Sequence, residues 1–153
     1  MPDHATMLQA TLTLNVAARM IDAAFAESHA LRAAPLCIAV VGASGHLLAL
    51  EREEAAAFHR VEIAIAKATG SIGMGCGGRE LMRRASAMPA LYAAFGTLVP
   101  LLPIPGGVLI RTAEDLVVGA IGISGDTADR DELCAVAGVR AAGFIADIGT
   151  PPR

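Results

Sequence analysis

The chain has 153 residues, 54% of them hydrophobic and 18% charged, with a net charge of −3. A chain of this length buries roughly 70% of its unfolded surface in one core, so a single domain over 1–153 folds without disulfides or metal, and the apolar richness excludes intrinsic disorder. No basic run exists, and with no Trp, one Tyr and four Phe the clustered cations and stacking platforms of nucleic-acid binders are absent, which excludes that class of partner.

The start, Met1-Pro2-Asp3-His4-Ala5, shows no secretory leader pattern. Leu14, Ala17, Ala18, Ile21, Phe25 and Ser28 then recur at helical spacing behind Thr13, a good N-cap, and predict a helix over 14–30. Pro35 stops it. Cys37-Ile38-Ala39-Val40-Val41 is a short β-branched run typical of a buried strand, and Ser44-Gly45 turns the chain into a second arm, His46–Arg52. Phe58, Val61, Ile65, Ala68 and Ile72, at steps of three and four, predict a second helix buried along that stripe. The glycines at 70, 73, 75, 77 and 78 end it, and so many together mean either a mobile backbone or very close packing. Residues 79–95 read as one or two short helices broken before Pro89. Val108–Arg111 and Leu116–Ile123 form a second hairpin around Ala113-Glu114-Asp115. Asp126 or Thr127 caps a last helix of about twenty residues, in which Leu133, Val136, Ala137, Ala141, Phe144 and Ile148 lie mostly inward; Gly149-Thr150-Pro151-Pro152 ends it. The order helix, hairpin, helices, hairpin, helix gives an α+β fold with an antiparallel sheet.

The uncharged stretch Ala85–Ile110 is long enough to span a bilayer, but Pro89, Pro100, Pro103 and Pro105 forbid a continuous helix, so it reads as buried or interfacial and no membrane partner is expected. The apolar surplus exceeds what one small globule hides, and predicts a homo-oligomer. Cys37, Cys76 and Cys134 are odd in number and have no C-x-x-C spacing, which argues against a disulfide framework or zinc site and for a reducing, cytoplasmic location. Cys76, among glycines, is expected to be accessible, with nothing basic adjacent to lower its pKa.

Four segments in register resemble the GlcG/HbpS (DUF336-type) family of haem-binding proteins: Gly45–Arg52, Ile63–Ala68, Pro105–Ile110 and Val118–Gly125. The resemblance covers about residues 11–145. It departs from the family at Glu53-Glu54-Ala55-Ala56-Ala57, where an acidic-Gly-Ala stretch is common, at Leu109, where proline is usual, and in the run Gly73–Gly78. It implies a profilin-like fold, an antiparallel sheet of four to five strands flanked by helices, together with oligomeric assembly and haem as the cofactor, bound or degraded.

Haem iron accepts His, Met, Cys or Tyr. His4 lies in a tail, His29 ends a polar helix face and His46 follows a tight turn, all expected at the surface. His59 opens the second helix with Glu62 at i+3 positioned to orient the imidazole, and is the candidate iron ligand; a solvated helix start is the plainer alternative. Arg52, at a strand end, and Lys67, mid-helix in an apolar region, are placed to hold carboxylates such as haem propionates. Gly106 and Gly107 either present backbone N–H groups to an anion or make a tight turn into a strand. There is no ATP or NAD fingerprint, and Ser124-Gly125-Asp126 reads as a helix cap. The expectation is a tetrapyrrole-binding homo-oligomer. The alternative is a small-molecule enzyme acting on an organic acid, in which Arg52 holds the carboxylate and His59 or Glu62 moves a proton.

Overall fold

Residues 37–41 are all buried, which a strand achieves only when both faces of its sheet are covered. A computed structural model describes residues 12–149 and shows that arrangement; the chain start with His4, and Thr150-Pro151-Pro152, lie outside the described residues. The elements in order are α1 (Leu14–Ala30), β1 (Cys37–Gly42), β2 (Leu47–Arg52), α2 (Arg60–Met74), α3 (Gly78–Ala87), α4 (Pro89–Gly96), β3 (Gly107–Arg111), β4 (Val117–Ser124), α5 (Ala128–Ala141) and β5 (Ile145–Asp147). The five strands form one antiparallel sheet in the order β2-β1-β4-β3-β5.

Strand alternation divides the core. Ile38, Val40, Val108, Ile110, Ile121 and Ile123 face α1 and α5 in the main cluster, while Cys37, Ala39, Val41, Leu109 and Ala120 face α2. Helix α1 has the expected limits, with the Thr13 hydroxyl accepting from Val16 N. The Thr127 hydroxyl likewise caps α5 by accepting from Arg130 N. Pro89 begins α4, as the break expected there requires. Among the described residues no helix is long and apolar enough to cross a membrane.

Helix α2 packs differently from expectation. Phe58 precedes it and is 71% exposed, and Val61, Ile65 and Ile72 are half-buried flanks. The centre of the contact is made of small or polar residues, Ala64, Lys67, Ala68, Gly70 and Ser71. The cause lies in the sheet: Gly107 and Gly122 pair with each other across β3 and β4, and a Cβ on Gly122 would collide with the Ala64 carbonyl, one on Gly107 with the Lys67 carbonyl. Helix and sheet backbones approach too closely for a branched stripe between them. The same holds at the end of the glycine run, where Gly77 and Gly78 lie against the backbones of Ile148 and Ile104. Close packing therefore explains those two glycines. Cys76 is only 7% exposed, buried with Leu81 and Tyr92, and burial raises its thiol pKa against the lowering effect of nearby Arg84.

The last helix is shorter than its apolar pattern suggests. It ends at Ala141, Gly143 takes φ +84°, and residues 145–147 become a fifth strand paired with β3. Leu133 is 54% exposed and Ala141 is also outside; the inward face is Cys134, Ala135, Gly138 and Val139. A Cβ on Gly138 would meet the Met20 carbonyl oxygen at 2.5 Å, so the smallest residues, not the largest, mark the contact with α1.

Two glycines of α2 and its sheet make a paired test. Gly122→Ala forces a methyl into the Ala64 backbone and is expected to cost about 3 kcal/mol or to prevent folding. Gly73→Ala, in open space within the helix, is expected to add about 0.4–1 kcal/mol. Urea midpoints of the two variants decide it; equal stability of Gly122→Ala and the parent chain contradicts the close approach.

Candidate functional site

Ser124 of β4, Cys37 of β1 and Arg52 of β2 stand abreast in the antiparallel register, all on the face that α2 covers. Helix α2 begins over this row, with the Arg60 guanidinium donating from Nη1 to Ser124 Oγ at 3.2 Å. Arg52 folds the intervening loop around itself: its Nη1 donates to the Ala56 carbonyl at 2.5 Å and, at 3.4 Å, to those of Glu53 and Glu54. Glu53 turns the other way. One carboxylate oxygen accepts from Leu36 N at 2.6 Å and the other meets His29 Nε2 at 3.0 Å, so the loop is anchored on the α1–β1 connection.

His59 sits at the N-cap position of α2 and makes no side-chain cap bond. Its side chain is 74% exposed, and its Nδ1 lies 3.6 Å from Glu62 Oε2, beyond hydrogen-bond distance. The imidazole rests against Phe58, ring centroids 4.1 Å apart. The sequence-derived trio Arg52, His59 and Glu62 thus gathers at one corner, the junction of β2 and α2. His46 is exposed, as expected, and His29 is engaged with Glu53.

Lys67 does not join them as a ligand holder. Its side chain is 2% exposed, and Nζ donates to Asp131 Oδ2 at 2.9 Å and to the Ile123 carbonyl at 2.7 Å. Asp131 belongs to α5, on the opposite side of the sheet, and its other oxygen accepts from Asp126 N at 3.0 Å. The ammonium reaches it past Gly106, where a Cβ would lie 2.8 Å from Nζ. Burial pushes the Lys67 ammonium down and the Asp131 carboxyl up, each against the pull of the other. Gly106 and Gly107 are correspondingly buried. Gly106, at φ +108°, makes way for Lys67, and Gly107 makes way for α2; their backbone is enclosed and does not form an open anion cradle.

Two members of the corner carried weak sequence signals. Arg60 lies seven residues before Lys67 and therefore on the same sheet-facing stripe of α2, and Phe58 is the apolar residue that the helix leaves outside. Asp131, 64 residues from Lys67, had no local signal at all. A separate groove of about 710 Å³ between α5 and β5 contains none of the corner residues, and its Arg111 is tied to Asp147 at 2.7 Å. Among the described residues no group of three or more His, Cys, Asp or Glu is gathered as a metal site.

The Lys67–Asp131 pair generates a stability prediction. Lys67→Met strands a buried carboxylate and Asp131→Leu strands a buried ammonium, each expected to cost about 3–5 kcal/mol. The double variant is expected to recover most of that loss, and a thermodynamic cycle from denaturant unfolding measures the coupling. Strict additivity of the two losses is the contrary result.

The sequence is 29% identical over 126 residues, 82% of this chain and 88% of the other, to a 15.0 kDa protein of the dhaT-dhaS intergenic region of Citrobacter freundii. The fold superimposes on the crystal structure of HbpS with a TM-score of 0.76 at 28% identity, covering 86% of this chain and 90% of that one. It also superimposes on a PduOC:heme complex with a TM-score of 0.78 at 23% identity, covering 87% and 96%. The sequence model of the family described as "Haem degrading protein HbpS-like" matches residues 12–140, and the chain belongs to that family.

Proposed function

We propose that the protein binds haem at the β2–α2 corner, with His59 as the iron ligand. The observation that carries this reading is the exposed His59 imidazole set against the exposed Phe58 ring, beside two arginines that pair with no carboxylate among the described residues. The side chains fit the group: an imidazole for iron, an apolar ring for the macrocycle and guanidinium donors for its acid arms. Glu62 stands on the Nδ1 side of His59, 3.6 Å away, which leaves Nε2 to ligate. Membership of the HbpS-like family, and the haem of the PduOC complex, support the choice of ligand. Bound haem supplies a redox-active iron; the chain's own contribution is to orient the imidazole and hold the ligand's charge. Three free, buried cysteines suit a reducing cytoplasm.

The same protein acts as a homo-oligomer in this reading. Of the eleven large hydrophobic side chains exposed among the described residues, five lie between Met82 and Val99, with Leu98 81% exposed. Helix α4 buries Tyr92 alone. An apolar patch of this kind marks an association surface.

Two measurements test the proposal. Titration of the full chain with hemin is expected to give a sharp, saturable Soret shift at about one haem per subunit, and His59→Ala is expected to abolish or displace it. An unchanged spectrum removes His59 from the site, and a broad, non-saturating response removes haem. Leu98→Glu with Leu91→Glu is expected to lower the mass measured by light scattering; an unchanged mass places the interface elsewhere.

A further inference from the structure

Four arginines among the described residues are half-buried: Arg60, Arg79, Arg84 and Arg111. Three of them have a carboxylate at 2.6–2.8 Å: Arg79 meets Asp129 and Glu132, Arg84 meets Glu80, and Arg111 meets Asp147. Arg60 has none. Its guanidinium makes one hydrogen bond among the described residues, to the neutral Ser124 hydroxyl, which is itself fully buried. A half-buried guanidinium loses hydration, and the usual compensation is an anion in bidentate geometry. At Arg60 no such anion is present among the described side chains.

The surroundings supply no substitute. Glu53 is committed to Leu36 N and His29, and Glu62 stands beside His59. Glu51 pairs opposite Ile38 and so faces the other side of the sheet from Arg52. Asp131 is taken by Lys67. The positive charge of Arg60 is felt by Lys67, whose ammonium it helps to push down. Across the sheet, the exposed Arg52, like Arg19, Arg32 and Arg140, makes no ion pair among the described residues; its Nη1 is engaged by loop carbonyls, and its Nε and Nη2 are not engaged by the described residues. Arg52 and Ser124 are separated by two strand spacings, about 10 Å between backbones.

We infer that Arg60 and Arg52 form a two-point receptor for a ligand carrying two carboxylates on an apolar body, with Arg60 as the residue that selects for the acid. The inference rests on the haem reading for the identity of the ligand, since haem carries two propionates, and it replaces the enclosed Lys67 with Arg60 as the second cation. The apolar body lies toward Phe58, 71% exposed and two residues before Arg60. Each arginine supplies charge-assisted N–H donors, and an esterified arm offers no negative charge in return.

The test uses the full chain and two iron-free probes, protoporphyrin IX and its dimethyl ester, so that iron ligation plays no part. Fluorescence titration gives the affinity ratio of acid to ester. The parent chain is expected to prefer the acid by about tenfold or more, the size of one charged hydrogen bond. Arg60→Gln is expected to lose most of that preference while its affinity for the ester changes less than about twofold, and Arg60→Lys to restore part of it. A merely structural role for Arg60 would weaken both probes together and leave the ratio unchanged, which overturns the inference. A parent chain that binds acid and ester alike overturns the two-point receptor and leaves porphyrin binding standing. Binding of neither probe overturns the receptor, and the hemin titration decides the haem reading separately.

Discussion

The close approach of α2 to the sheet governs the rest of the molecule. Gly122 and Gly107 leave a lane without side chains across β4 and β3, and the helix backbone at Ala64 and Lys67 settles into it. That contact sets the height of α2 above the sheet and the face it turns inward. It places Lys67 where its ammonium passes Gly106 to Asp131 of α5, so one ion pair ties together the layers on both sides of the sheet. At the other end of the same stripe it sets Arg60 over Ser124.

The buried pair and the corner are two outcomes of one geometry. Along α2 the inward positions run Arg60, Ala64, Lys67, Ser71. Lys67, deep between glycines, finds a carboxylate and is enclosed. Arg60, at the first turn, lies where the helix end meets solvent and no carboxylate follows it in. A cation in the interior needs a partner from its own chain, whereas one at the margin is able to take its partner from a ligand. This is why the cation at 67 is structural, whereas those at 52 and 60 are the ones proposed to bind a ligand.

Much of this organisation was legible in the residues themselves. Thr13 and Thr127 as caps, Pro35 and Pro89 as breaks, the β-branched run from Cys37 and the two hairpins follow from local chemistry, and the structure has them where expected. The family resemblance was legible for the same reason: its four segments are strand and helix pieces whose residues fit one another in order. Within the corner, Arg52 and the His59–Glu62 spacing were readable because a strand end and an i, i+3 relation are short-range facts.

What the sequence by itself determined was therefore the set of elements, their order and the chemical inventory of the β2–α2 junction. The tertiary structure alone decided which face of α2 turns inward, that Leu133 points out while Gly138 packs in, that residues 145–147 form a strand, and that Lys67 meets Asp131. The physical reason is one of range. Caps, turns and periodicity depend on neighbours within a few residues, whereas the depth of a glycine lane, the fifth strand's partner and the counter-ion of a buried lysine depend on groups tens of residues away that only packing brings within reach.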